Sequence, residues 1–95
     1  NARALRSVAP GSSVLDRYAE AAQLLTGKPG ASVEDGLAWI GETVSLLGVP
    51  GLGAFGLGPG EADGIAAKAA TSSSMQGNPV PLSHDELKAV VLQAL

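Results

Sequence analysis

The sequence contains one histidine, His84, followed directly by Asp85 and Glu86, and such a trio could in principle bind a metal or move protons. The spacing argues against that use. Three consecutive positions do not share a helix face, and Ser83 with Glu86 forms a capping box that puts His84 in a first helical turn, facing solvent. A transition-metal centre requires three or four converging ligands. One histidine among scattered carboxylates predicts a surface histidine instead. Ser72, Ser73 and Ser74 could supply a nucleophile, but His84 is the only base suited to neutral pH and no third residue is marked to orient it. The serines are expected to end a helix and line a polar surface.

Two glycine patterns resemble phosphate loops without their context. Gly51, Gly53 and Gly56 have the GxGxxG spacing of a dinucleotide fingerprint. That motif needs a strand before it and a helix directly after it, so that helix N–H groups meet the pyrophosphate. Here a helical pattern precedes, and Gly58, Pro59 and Gly60 follow; residues 48–60 are expected to be a flexible connector. Gly27-Lys28 is not a P-loop, because Pro29 stands where Ser or Thr is needed and no glycine lies five positions before Gly27. In Gly77-Asn78-Pro79, the Asn78 side chain can hydrogen-bond nearby backbone and fix an irregular turn.

The elements that position these residues read as helices throughout. Residues 1–8 carry Ala2, Leu5 and Val8 on one side, and Pro10 with Gly11 stops them. A helix beginning at the first residue suggests a chain cut from a longer one, by processing or by design. Ser13 is the expected N-cap of a second helix, with Asp16 three residues on and Leu15, Tyr18, Ala22 and Leu25 as its buried stripe; Gly27 ends it. Ser32 with Asp35 opens a third, in which Val33, Leu37, Ile40, Val44 and Leu47 recur at helical spacing before Gly48 and Pro50. Adding Thr43, Trp39 and Leu46 widens that apolar arc to about half the circumference at ~100° per residue. An arc so wide predicts contact with more than one neighbour. An alanine-rich helix is expected over residues 61–70, its early acids favourable to the helix dipole. Residues 71–81 read as too broken for regular structure. The last helix follows Ser83, with Leu87, Val90, Val91 and Ala94 as its stripe. No period-two alternation and no long repeat occurs.

The predicted fold is therefore all-α, a small bundle of about four to five helices with a glycine-rich connector. With 95 residues, one domain is the ceiling, and the core rests on Leu, Val, Ile and Ala, since Trp39, Tyr18 and Phe55 are single copies. Helical glycines at 36, 41 and 64 each cost roughly 1 kcal/mol relative to Ala, which suggests outside support. The formal charge is −3, and Arg3, Arg6, Arg17, Lys28, Lys68 and Lys88 are scattered, so neither nucleic acid nor an anionic membrane is an expected partner. The absence of cysteine excludes disulfides, thiolate catalysis and Cys-based zinc sites, and fits a cytoplasmic location. No apolar run approaches the ~20 residues of a membrane span, and no cleavable leader opens the sequence.

Residues 65–95 (IAAKAATSSSMQGNPVPLSHDELKAVVLQAL) resemble the C-terminal end of iron-containing alcohol dehydrogenases. The matching features are Ala66, Ala67, Ala69 and Ala70, the Ser73-Ser74-Met75 segment, Gly77-Asn78-Pro79, Leu82-Ser83 and the capped helix from His84. Arg17-Tyr18-Ala19-Glu20 and Leu47-Gly48-Val49-Pro50 are similar to the family's RYAE and LGxP stretches, so the resemblance covers nearly the whole chain. No single motif is diagnostic; their order and spacing together carry it.

The resemblance implies that residues 1–95 are part of a C-terminal helical domain, lacking the N-terminal nucleotide-binding domain and the metal-ligand segment, one Asp and three His in that family. It implies no catalytic, cofactor-binding or metal-binding residue here; the parent would use NAD(P) and iron or zinc, and could be a homodimer. Ser74 and Met75 would line the substrate cleft, with Asn78 shaping the turn. The glycine-heavy 51–60 stretch departs from the family's more polar connector. Two alternatives remain open: an autonomous helical interaction module whose third helix docks a partner, and a fragment of a maleylacetate-reductase-like enzyme.

Overall fold

The computed structural model describes all 95 residues and is all-helical, with six α-helices and no strand. In chain order these are α1 (Ala2–Val8), α2 (Ser13–Thr26), α3 (Val33–Leu46), α4 (Ala62–Ala70), α5 (Ser73–Gln76) and α6 (His84–Gln93), with 3₁₀ turns at Leu52–Phe55 and Pro59–Glu61 before α4. The chain divides into two compact units, residues 1–49 and residues 50–95. No helix is long and apolar enough to cross a membrane.

The first unit is built on the pairing of α2 with α3. α2 starts one residue earlier than the pattern of its acids implied. Ser12, not Ser13, is the N-cap: it is the residue that stays extended after the Pro10-Gly11 turn, and its Oγ accepts from the Val14 N–H at 3.3 Å. The helix closes on Gly27 in the left-handed region. α3 opens with the expected capping box, Ser32 N–H donating to Asp35 Oδ2 at 2.8 Å and Asp35 N–H donating to Ser32 Oγ at 3.2 Å. It ends in a Schellman motif: Gly48, at φ 64°, donates to Ser45 O, and Val49 donates to Val44 O. Leu47-Gly48-Val49-Pro50 is thus a helix stop built from backbone geometry.

The expected α2 stripe is buried in part, with Ala22 buried, Leu15 and Tyr18 half-buried and Leu25 exposed, whereas most of the α3 arc is exposed. The buried residues of this unit are Leu5, Ala22, Ala31 and Gly36. α2 and α3 meet where Ala22 faces Gly36, so tightly that a Cβ on Gly36 would stand 2.6 Å from the Ala22 Cβ. The close approach fixes the contact at Gly36, within the apolar arc, and Leu37, Ile40 and Val44 to one side of it are left 59%, 44% and 42% exposed. Leu46 and Leu47, like Val8 on α1 and Leu24 on α2, are exposed as well. Within the unit, α2 is the main neighbour of α3. Arg6 grips Glu34 with both guanidinium nitrogens, Nη2 to Oε2 at 3.1 Å, tying α1 to α3.

The second unit pairs α4 with α6 around Ala62, Ala66, Val80 and Leu87, all buried. α4 begins at Ala62 rather than Glu61, because Glu61 closes a 3₁₀ turn in which its carboxylate accepts from Gly58 N–H at 2.8 Å. Residues 71–81 are less broken than their composition suggested. Ser72 leaves α4 in an extended conformation and starts a new turn, α5, held by Met75 N–H to Ser72 O at 3.1 Å and free of Gly and Pro until Gly77. That single turn raises the helix count to six. α6 carries the full capping box, Ser83 N–H to Glu86 Oε2 at 2.7 Å and Glu86 N–H to Ser83 Oγ at 3.2 Å. Only Leu87 of its expected stripe is buried; Val91 is half-buried, and Val90 and Ala94 face outward, since α4 presents little more than alanine for them to cover.

The glycine-rich stretch is also not a plain connector. Leu52 N–H donates to Ala94 O at 2.7 Å and Gly53 N–H donates to Leu95 O at 3.3 Å, so the start of the unit is bonded to its end. These bonds give a 3₁₀ turn to a segment that local propensity alone would leave open.

Candidate functional site

Ser74, Met75 and Asn78 fall on α5 and the loop after it. The preceding helix ends as Thr71 and Ser72 turn their hydroxyls back onto it, Thr71 Oγ1 to Lys68 O at 3.1 Å and Ser72 Oγ to Ala69 O at 2.8 Å. The Ser72 and Ser74 hydroxyls then lie 3.2 Å apart. Met75 is half-buried, Ser74 is exposed, and Asn78 is half-buried. Asn78 Nδ2 donates to Val80 O at 2.7 Å, holding the turn that carries the chain through Pro79 and Pro81 to the α6 cap. This bond places Val80, a buried residue, under the loop. The segment thus combines the paired Ser72 and Ser74 hydroxyls with a half-buried Met75 and a buried Val80.

A nucleophile in that segment would need a base. The Ser72 hydroxyl is spent on Ala69 O, and His84 is engaged elsewhere: its Nε2 lies 3.1 Å from Asp63 Oδ1, while Lys88 Nζ donates to Asp63 Oδ2 at 2.8 Å. Asp63 therefore takes one cationic or polar partner on each oxygen and joins α4 to α6. Its carboxyl is held below the ordinary aspartate range, chiefly by Lys88 and then by His84, and the Lys88 ammonium is raised in turn by Asp63. His84 is half exposed, as expected of a first-turn surface histidine, and its place beside Asp63 is the unexpected feature. The i, i+4 spacing of His84 and Lys88 puts both on one face of α6, but it does not point to Asp63.

No group of three or more His, Cys, Asp or Glu side chains could hold a metal ion. The GxGxxG spacing is occupied differently from a phosphate loop: the Leu52 and Gly53 N–H groups that a phosphate would require donate to carbonyls of the same unit. Gly27 and Lys28 form a helix stop, with the Lys28 N–H donating to Thr26 Oγ1 at 3.2 Å. In the first unit a shallow depression of about 180 Å³ is lined by Thr26, Lys28, Asp35, Ala38, Trp39 and Glu42. It falls short of the ~300 Å³ at which small-molecule pockets begin.

Four carboxyls are displaced downward. Glu34 is lowered by its pairing with Arg6, Asp35 by the Ser32 backbone and hydroxyl, Asp63 by Lys88 and His84, and Glu86 by the Ser83 backbone and hydroxyl. A depressed folded-state value means each ionised carboxylate contributes its stability in full above the ordinary carboxyl range and loses it as pH falls through the folded-state value. The melting temperature followed by circular dichroism is expected to be level above about pH 5 and to drop steadily toward about pH 2. In Asp63→Asn the drop should be shallower. Because all four groups are solvent-exposed, added salt should weaken the Arg6–Glu34 and Asp63–Lys88 contributions more than those of the two capping boxes.

No protein-family model matches the chain, and no curated protein or solved structure matches it.

Proposed function

We propose that residues 1–95 are part of the C-terminal helical domain of a metal- and NAD(P)-dependent oxidoreductase similar to iron-containing alcohol dehydrogenases, with no catalysis of their own. The observation that carries the reading is the ordered series Arg17-Tyr18-Ala19-Glu20, Leu47-Gly48-Val49-Pro50, Gly77-Asn78-Pro79 and Leu82-Ser83. Its support is that three of the four stretches do conformational work. Leu47 to Pro50 form the Schellman stop of α3, Asn78 closes its turn onto Val80, and Ser83 caps α6. A series chosen for backbone geometry persists in a scaffold whatever chemistry its partner domain performs.

In the parent enzyme a divalent metal would polarise the substrate oxygen while the nicotinamide exchanges hydride. The residues present do not fit the metal: one histidine, already paired with Asp63, offers no converging ligand set. In this reading the metal and nucleotide sites belong to other parts of the parent, and this chain contributes scaffold together with the Ser74, Met75 and Asn78 segment as one wall of the cleft. A cytoplasmic location and a homodimeric parent belong to the same reading. A maleylacetate-reductase-like parent keeps the scaffold and changes only the substrate.

Titration of the 95-residue chain with NADH and with zinc or ferrous ion should give no saturable binding at micromolar concentrations. Saturable binding of either would overturn the assignment. The intact mass of the natural protein separates the readings further, a chain several times longer than 95 residues fitting the two-domain enzyme. A natural protein of this length would favour the second reading, an autonomous interaction module. The observation on that side is the exposed row Leu37, Ile40 and Val44 on α3.

A further inference from the structure

The glycine-rich stretch has more order than its composition warrants, and the order has an identifiable source. Of residues 51–60, five are glycine (51, 53, 56, 58 and 60), and a chain so composed loses more backbone entropy on ordering than any other. Its internal bonds are few and weak in geometry: Ala54 N–H to Gly51 O and Gly56 N–H to Gly53 O, both 3.1 Å, are i to i+3 contacts. The bonds that anchor it come from outside. Leu52 and Gly53 donate to Ala94 O and Leu95 O, the last two carbonyls described after α6.

Glycine at 51 and 53 is required by this docking rather than by local conformation. Gly51 has φ −68° and ψ 164°, extended backbone open to any residue. A Cβ there would nevertheless stand 2.5 Å from Leu95 O and 3.2 Å from Ala94 O, and a Cβ on Gly53 would stand 3.0 Å from Leu95 O. The nearest obstacles at both positions are main-chain atoms of Ala94 and Leu95, so the clash is with the docked segment itself rather than with a side chain. Two steric requirements and two hydrogen bonds thus converge on one dipeptide.

We propose that the Gly51-Leu52-Gly53 turn is a latch for the chain segment after α6, and that docking of Ala94 and Leu95 is what orders residues 51–57. With the tail docked, the turn is folded and its N–H donors are occupied. With the tail released, the same residues revert to an open glycine-rich linker, while α4 and α6 stay paired through Leu87, Ala66 and the Asp63–Lys88 bridge. The latch is a conformational device of the second unit and is independent of the family reading.

The test uses amide hydrogen exchange at Ala54 and Gly56, whose bonds do not touch the tail, with the Leu87 amide as the reporter of α4–α6 packing. Removing Ala94 and Leu95 is expected to accelerate exchange at Ala54 and Gly56 at least tenfold and to leave Leu87 protected. Gly51→Ala in the full 95-residue chain should do the same, since its three closest contacts are all with the tail; this variant decides the question if the shortened chain also loses protection at Leu87. In the shortened chain Gly51→Ala should have no further effect. Unchanged exchange at Ala54 and Gly56 in Gly51→Ala, or an undiminished effect of that substitution once the tail is gone, would overturn the proposal.

Discussion

Gly36→Ala should destabilise the first unit by about 1 to 2 kcal/mol, while Gly41→Ala, five residues along the same helix, should stabilise it by up to about 1 kcal/mol. The two substitutions add the same methyl to the same α-helix and gain the same propensity. They differ in what the methyl meets. At Gly41 nothing lies within 4 Å of the added carbon, so the propensity gain stands alone. At Gly36 the carbon would be 2.6 Å from the Ala22 Cβ and 3.0 Å from the Ala22 Cα, and a backbone atom can move only if the whole of α2 moves. Overpacking of that kind typically costs ~1 to 3 kcal/mol, which exceeds the gain. Urea unfolding followed by circular dichroism gives both signs in one series. Two stabilising outcomes would mean that α2 and α3 do not meet at this pair.

Leu87→Ala should be the most damaging single truncation in the second unit, at about 2 to 4 kcal/mol. Leu87 is the largest of the four buried hydrophobic residues there; the others are Ala62, Ala66 and Val80. The other three are smaller than Leu87, and the two alanines have no rotamers with which to fill the space it would vacate. Val90→Ala, one turn on and 59% exposed, removes a comparable branched side chain and should change stability by less than about 0.5 kcal/mol. Amide exchange of α4 and α6 separates the two: Leu87→Ala should bring these helices close to local unfolding, and Val90→Ala should leave them protected. Equal effects would show that burial in this unit is not concentrated on Leu87.

How much of this was legible in the sequence depends on the range of each interaction. The capping boxes at Ser32 and Ser83, the left-handed stop at Gly27, the Gly48 terminus and the Asn78 turn all act within five residues, and the side-chain chemistry that forms them is visible in one short window. The Ser12–Ser13 ambiguity shows the limit of such reading, for two adjacent serines offer the same oxygen and the preceding turn decides between them. Helix facing was legible only in part. Periodicity located the apolar arc of α3 correctly, but where α2 would land on it was set by how closely backbones can approach, and the closest approach is at Gly36, a residue that adds nothing to a hydrophobicity pattern. The Asp63, His84 and Lys88 cluster and the tail bonded to residues 52 and 53 join positions far apart in sequence, and no local signal distinguishes such pairings from the many that do not form. For the candidate site, the turn at Asn78 was readable and its surroundings were not.

The meeting of Ala22 with Gly36 also has an entropic side. Long apolar side chains give up rotamer freedom when buried, of the order of 0.5 to 1 kcal/mol for Leu or Ile, whereas Ala and Gly have none to give up. At this pair the contact is therefore made without freezing side chains, and Leu37, Ile40 and Val44, exposed beside it, are less restricted than buried residues would be. That freedom is a reserve in one sense and a handicap in another: any surface that comes to cover the row must overcome it, side chain by side chain, before the buried area counts in its favour.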